Sequence, residues 1–438
     1  MHPAGAVRGS CPSVHRPFAA ADGGLARIRV PGGALTAQQA SAVAGAARRH
    51  GSGVVEITSR ANLQLRGVPE GARLGPELAD AGLLAPNAAA EDHTNVMASP
   101  TAGFDRAELL DVMPLVDETA RRVGGSDLGG VSPKFGVLVD GGGEVGLRGL
   151  AQDAGLVAVG VTGGSARVEV WFALRLAEPI PRQPSFAGEL VLVPPELAAD
   201  AVLAAMRLCA SSGRMSSLVD RLGRRQVVED LEARVGARFD RVAGPDVLPW
   251  PALPRPPLGV RPERRRDRVF VDAAGPLGRL DADMLAEVAG AASEHGDGRL
   301  RLTPWRTVLV PGVPEDVVAS VRARLAGLGL SCDPRDPVGS VVACAGSRGC
   351  TAGLADTQAD GLRLLEMLRE EGGASGMVHL SGCAKGCAGV RAGDVTLVGA
   401  ESGYDVFVRD EGAPGFGRCV AEGLAPEAAL RSAVELTR

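Results

Sequence analysis

The chain has 438 residues, of which 45% are hydrophobic, 23% charged and only 3% aromatic. Its 47 Lys and Arg against 52 Asp and Glu leave a net charge of −5, so there is no global pull towards nucleic acid or anionic lipid, and any basic site must be a local concentration. No apolar run approaches the roughly 20 residues of a membrane span, and the opening MHPAGAVRGSCPSVHRPF lacks the apolar stretch of a secretory signal, so a cytoplasmic protein of two to three domains is expected.

The first element is a strand, Ala26–Val30, where apolar and charged residues alternate. A helix follows, opened by Thr36 with Gln39 three residues on, the pattern of a capping box. His50-Gly51 closes it, with glycine expected in the left-handed conformation of a helix stop. Two short strands, Val54–Thr58 and Asn62–Val68, complete the unit. This unit is duplicated. Leu35–Glu70 aligns without gaps on Leu280–Glu315 at a constant offset of 245 residues. Val43–Ala47 recurs as Val288–Ala292, His50-Gly51 as His295-Gly296, and Asp281 replaces Thr36 as the N-cap.

The register continues, since Asn95–Ser99 lies 245 residues before Ser340–Cys344. Thr101-Ala-Gly then matches Thr351-Ala-Gly at an offset of 250, so the second copy has gained five residues there, Cys350 among them. Leu128–Lys134 likewise resembles Leu380–Lys385. The expected organisation is a small half-domain at 10–75, a larger α/β domain at 88–240, a Pro-rich linker at 245–268, and the two repeats at 269–325 and 335–438. About 195–235 reads as helical core, and the arginines of the linker read as a solvated run rather than a nucleic-acid site.

Four of the eight cysteines, Cys344, Cys350, Cys383 and Cys387, are spaced x5, x32 and x3. Eight are too few for a disulfide scaffold in a chain of this length, and clustered thiols in a reducing compartment are more often metal ligands than bridges. Four thiolates suit tetrahedral zinc or an iron–sulfur cluster. The x5 gap is wide for a zinc knuckle. Gly346, Gly349, Gly382 and Gly386 flank the cysteines, allowing the backbone to approach a bulky inorganic core and donate N–H groups to its sulfurs. The bland alternative is four separate buried thiols, as Cys209, Cys332 and Cys419 are read.

A second constellation lies on the strand after Ser59. By a period of two, Arg60, Asn62, Gln64 and Arg66 share one face, with Ala61, Leu63 and Leu65 on the other. The second copy has Trp305, Thr307, Leu309 and Pro311 there instead. A cationic strand face in one repeat, opposite cysteines in the other, suits a polycarboxylate held between the halves, because the guanidinium fork binds two oxygens at once. Its bland reading is an exposed strand face, and Arg306, Arg348 and Lys385 are single cations beside loops. His50 and His295 read as helix-end partners. His15, His93, His379 and Cys11 are of metal-ligating type but show no recognisable ligand spacing, so none is assigned as a ligand, and no residue is assigned as catalytic acid or base.

C-x5-C followed by C-x3-C in the second half of a duplicated chain resembles the sulfite and nitrite reductase superfamily. TSRANLQLRGV, NVMASP and SPKF resemble further motifs of that superfamily. The resemblance implies an α/β fold of α+β layers, internally duplicated with pseudo-two-fold symmetry. It implies a [4Fe–4S] cluster on Cys344, Cys350, Cys383 and Cys387, the last of which in the reductases also bridges to sirohaem iron. Within the superfamily, CPSVHRPF, ASPTAGFD, SPKFGVLVDGGG and LRLTPWRTVLVPGV are similar to the precorrin-3B synthase family of aerobic cobalamin biosynthesis. That likeness implies a monooxygenase with the cluster but no sirohaem, a mononuclear non-haem iron, and hydroxylation of precorrin-3A at C20 by dioxygen with lactone formation.

The departures from the reductases agree with this. Lys134-Phe135-Gly136 stands where they carry K-F-K, and Thr94-Asn95-Val96 where they carry R-N-V, so two cations of a small-anion cage are missing. Gly136 is expected to leave room for a ring edge. The expected substrate contacts are Arg60, Asn62, Gln64, Arg66 and Lys134. No G-x-G-x-x-G follows a predicted strand, so electrons are expected from a partner, a ferredoxin or an NADH-linked reductase. The competing reading is a sirohaem-dependent sulfite or nitrite reductase.

Overall fold

The computed structural model describes residues 11–438 except 148, 151, 162–167, 179–187, 249–257, 390–392, 411–412 and 414. The duplicated helices are Ala37–His50 and Ala282–His295. Thr36 Oγ1 accepts from the Gln39 N–H at 3.1 Å and Gln39 Oε1 from the Thr36 N–H at 3.0 Å, closing the capping box. Asp281 accepts from the Met284 N–H at 2.7 Å. Each helix presents a face of small apolar residues: Ala40, Val43, Ala44 and Ala47 on one, Leu285, Val288, Ala289 and Ala292 on the other. Small side chains let the two helices approach closely, and both faces belong to one buried core with the strands beneath them.

The two half-domains exchange strands. The first sheet runs Phe18–Ala20, Gly23–Ile28, Leu63–Val68, Val54–Ile57 and then Arg279–Asp281, which belongs to the second repeat. The second sheet runs Gly259–Pro262, Arg268–Ala273, Val308–Pro314, Arg299–Leu302 and then Ala34–Thr36 from the first. Arg279 lies opposite Glu56 in one sheet, and Ala34 opposite Arg301 in the other, so the pseudo-two-fold passes between them.

Each larger domain repeats one topology. Val96–Ala98, Val137–Asp140 and Ala154–Val161 are parallel neighbours, continued by antiparallel Glu169–Leu176, Glu189–Val193 and Asp240–Ala243. In the second repeat, Val341–Ala343, Val378–Ser381 and Val395–Ala400 are parallel, followed by antiparallel Gly403–Val408 and Arg418–Leu424. Loops leaving the carboxyl ends of parallel strands are where α/β sheets place their sites. Among the described residues no helix is long and apolar enough to cross a membrane.

Three local expectations change. Gly51 and Gly296 are extended (φ −150° and −107°), not left-handed. Glycine is needed there because a Cβ would lie 2.8 Å from the Arg66 carbonyl oxygen, or 2.7 Å from that of Pro311. Secondly, the later part of the stretch read as linker is structured: Gly259–Pro262 pairs with Arg268–Ala273, and Arg261 and Arg264 bond to Glu144 and Glu108 at 3.2 and 3.1 Å. Residues 249–257 lie outside the described residues. Thirdly, the strand expected from Asn62 is regular only from Leu63, because Thr58–Asn62 forms a turn closed by the Thr58 N–H on the Asn62 carbonyl at 2.9 Å. Ala61 takes φ 53° in that turn, and its repeat Arg306 takes φ 65°.

Candidate active site between the halves

Cys344 follows strand Val341–Ala343 and Cys383 follows the adjacent parallel strand Val378–Ser381, so chain direction brings both cysteine loops to one sheet end. The Gly382 and Gly346 N–H groups donate to Cys344 Sγ at 3.1 and 3.4 Å. Gly346 sits at φ +63°, where an added Cβ would lie 2.7 Å from the Thr357 backbone nitrogen, so only glycine threads this turn. Burial, then the charges of Cys344, Cys383 and Cys350, raise the Cys387 thiol, with Lys385 opposing. All four sulfurs thus share one electrostatic neighbourhood. Among the described residues no three His, Cys, Asp or Glu group tightly enough to hold one metal ion. A cluster spreads its four thiolates over a wider core than a single ion does, and the four loop cysteines could hold one.

One arginine from each half-domain reaches a cysteine loop. Arg66, 5% exposed, gives Nε and Nη2 to Asp22 at 2.7 and 2.9 Å, Nη1 to Glu56 at 3.5 Å, and Nη2 to the Gly349 carbonyl at 2.7 Å. Arg306 donates to the Ala388 carbonyl, beside Cys387. Behind them a chain of bonds crosses the sheet: Arg27 Nε to Gln64 Oε1 at 3.0 Å, Gln64 Nε2 to Glu56 Oε2 at 3.1 Å, and Arg279 Nε to Glu56 Oε1 at 2.8 Å. Burial would raise the Glu56 carboxyl, but Arg279 and Arg66 more than offset it and hold it below the ordinary range.

At the far end of this row the cations lose their partners. Arg29 is 5% exposed, and none of its guanidinium nitrogens finds a hydrogen bond of acceptable geometry among the described residues. Arg60 has no side-chain hydrogen bond or ion pair among the described residues. Burial lowers both groups; Arg29 adds to the effect on Arg60, while Cys11 opposes it at each. Arg27 is brought down to about 10 by burial and then by Arg29. The N-terminal segment closes this end: Glu91 accepts from the Val14 and His15 N–H groups at 2.8 and 3.3 Å, Arg16 pairs with Asp92, and Cys11 is buried beside the three arginines.

The expected row of four is therefore divided. The turn at Thr58–Asn62 takes Arg60 off the strand face and sets it near Arg29, Arg214 and Asp153. Asn62 accepts from the Val30 N–H at 2.8 Å and donates to Asn95 at 3.2 Å, Gln64 is held between Arg27 and Glu56, and Arg66 is spent on Asp22, Glu56 and Gly349. Lys134 is exposed, on a segment that Asn95 joins through the Phe135 carbonyl at 3.4 Å. The room expected at Gly136 is taken up by the tip of the Gln152 side chain, whose Oε1 lies 1.9 Å from where a Cβ would stand. Arg27 and Arg29 were missed, although they alternate with Ala26 and Ile28 in the first strand read from sequence. Glu56 and Arg279 carry no sequence signal, being joined only by strand exchange.

The model of the nitrite/sulfite reductase ferredoxin-like half domain matches this chain over 19–73 and 261–328. The NirA protein of Mycobacterium tuberculosis superposes with a TM-score of 0.73 over 93% of this chain and 79% of its own, at 20% identity, which shows a common fold. Ferredoxin–nitrite reductase of Synechococcus elongatus is 28% identical over 88% of this chain and 79% of its own length. Duplicated half-domains and a sheet end bearing cysteine loops define a redox enzyme of the sulfite and nitrite reductase fold. A precorrin-3B synthase from Sinorhizobium sp is 31% identical over 406 residues, 92% of this chain and 83% of that one. The chain belongs to the precorrin-3B synthase family.

Proposed function

We propose that the chain is a cytoplasmic iron–sulfur monooxygenase that hydroxylates precorrin-3A at C20 and closes a lactone from the ring-A acetate, without sirohaem. The observation that carries this reading is the arginine row. It begins at Arg29 and Arg60, whose guanidinium groups make no well-formed hydrogen bond among the described residues, and ends on the carbonyls of Gly349 and Ala388 beside the cysteines. A polycarboxylate macrocycle laid along it would satisfy the free guanidinium groups at one end and reach the cysteine loops at the other. Gln152 adds a second support, since a neutral amide fills the volume beside Gly136.

Cys344, Cys350, Cys383 and Cys387 would hold a [4Fe–4S] cluster, which supplies electrons one at a time. The chain's own residues bind and orient. Arg29 and Arg60 take substrate carboxylates, and Gln64 and Glu56 keep Arg27 aligned behind them. Arg66 and Arg306 fix the cysteine loops against the substrate face, and the Cys11–Arg16 segment shields the arginine end from water. Two electrons from an external ferredoxin-type or NADH-linked donor and two protons balance the reaction, one atom of dioxygen entering the substrate and the other leaving as water. No ligand set is proposed for a further iron.

The test is an optical spectrum of anaerobically purified protein, with iron, acid-labile sulfide and extracted tetrapyrrole measured on the same sample, followed by turnover. Equal iron and sulfide, no sirohaem, and a precorrin-3A product heavier by one oxygen atom are expected. Stoichiometric sirohaem would make the chain a reductase and sink the proposal.

A further inference from the structure

A cavity of about 730 Å³ opens between the helix Met113–Gly124, the turn at Pro31–Gly33, and the exchanged strands Ala34–Thr36 and Arg299–Leu302. None of the four cluster cysteines lines it. Its size falls within the roughly 300–1,000 Å³ of small-molecule sites.

Its wall holds an arginine that the fold leaves unpaired. Arg301 is 4% exposed, its Nε is sealed without an acceptor, and it makes no hydrogen bond or ion pair among the described residues. Its guanidinium carbon stands 5.9 Å from the centre of the Phe104 ring. The duplication explains the missing partner. Arg301 occupies the register of Glu56, 245 residues earlier. Glu56 has Arg279 and Gln64 as cross-strand neighbours, whereas Arg301 has Ala34 and Leu309, whose side chains accept nothing. Burial lowers the guanidinium, and Asp297, Asp111 and Asp117 oppose this only at a distance.

A buried, unpaired cation is costly unless an anion meets it. Arg29 lines the same cavity, buried beside Cys11 and with no well-formed hydrogen bond from its guanidinium among the described residues, and Arg299 adds positive charge, whereas Arg121 is paired with Glu118. Of the two acids on the wall, Glu91 is engaged by the Val14 and His15 amides. The remaining lining includes Pro31, Leu83, Leu84 and Met113, so the occupant must carry a carbon skeleton as well as negative charge. We propose that this cavity is a second binding site, meeting the substrate face only at Arg29, for a small organic polycarboxylate, with Arg301 as its principal anchor. The inference does not depend on the oxygenase reading.

The test is calorimetric titration of the anaerobic full-length protein with citrate and, separately, with inorganic phosphate. One saturable citrate site per chain is expected, weakened at least tenfold by Arg301→Gln and by Ala120→Phe, which fills the cavity from its helix. Arg60→Ala should leave it unchanged, and phosphate, lacking the carbon body, should bind at least tenfold more weakly than citrate. Thermal melts confirm that each variant is folded, and Ala120→Phe decides alone if Arg301→Gln is not. No saturable citrate binding, loss in Arg60→Ala with Arg301→Gln unaffected, or phosphate binding as tight as citrate would each overturn the assignment.

Discussion

Arg60 and Arg66 lie six positions apart and do different work. Arg66 is locked between Asp22, Glu56 and the Gly349 carbonyl, so it positions a cysteine loop rather than meeting a ligand. Removing it strips a partner from buried Glu56 and an anchor from the loop, a loss on the order of 3 kcal/mol. Arg66→Ala should therefore lower both the denaturation midpoint and the iron retained per chain. Arg60→Ala should leave iron untouched, because its guanidinium makes no hydrogen bond or ion pair among the described residues. A lost charge-assisted bond of about 1.5–3 kcal/mol weakens binding roughly 10- to 100-fold. Fluorescence titration with a uroporphyrin reads this directly, and unchanged affinity in Arg60→Ala would remove Arg60 from the binding face.

At the scale of the element, closeness of backbones decides which substitutions hurt. A Cβ on Gly51 would press on the Arg66 carbonyl at 2.8 Å and displace the strand Leu63–Val68, whereas one on Gly53 meets nothing within 4 Å and suffers only its φ of +81°. Overpacking costs about 1–3 kcal/mol, and a left-handed non-glycine residue roughly 1–2 kcal/mol. Gly51→Ala should thus cost at least as much as Gly53→Ala in urea denaturation, and it alone should also shift cluster absorbance through Arg66. Thr36→Ala opens the capping box at the head of Ala37–His50 and should cost about 1 kcal/mol by the same measurement.

For the whole molecule, strand exchange makes the two half-domains a single folding unit, since one buried core includes Val43 and Val288 together. The halves meet again where Arg264 pairs with Glu108 at 3.1 Å. Burial is the main cause that raises the Glu108 carboxyl to about 7; Asp111 and Asp105 add to it, while the Gly103 N–H and Arg264 oppose it. The native state therefore keeps a proton that the unfolded chain releases near its ordinary value of 4.5. Stability from this group is present at low pH and lost as pH rises from about 4.5 to 7, by on the order of 3 kcal/mol. Glu108→Gln should flatten that part of the stability–pH curve; an unchanged slope would show that Glu108 ionises freely in the fold.

Much of this protein is legible in its sequence. The constant offset of 245 residues reveals the duplication, because equivalent positions must bury the same faces in each copy. Thr36 and Gln39 announce a helix start, because a cap is a contact between residues three apart. The cysteines and their glycines reveal the loops for the same local reason. What remained hidden depends on contacts distant in sequence. Exchange of Ala34–Thr36 and Arg279–Asp281 joins Glu56 to Arg279 and leaves Arg301 facing Ala34. A period of two places four polar side chains in one row, but a turn at Thr58–Asn62 breaks it and sends Arg60 to Arg29. Which cations are spent on the protein and which stay free for a ligand is decided by tertiary packing, because each guanidinium is satisfied by whatever acceptors the fold brings within hydrogen-bond reach.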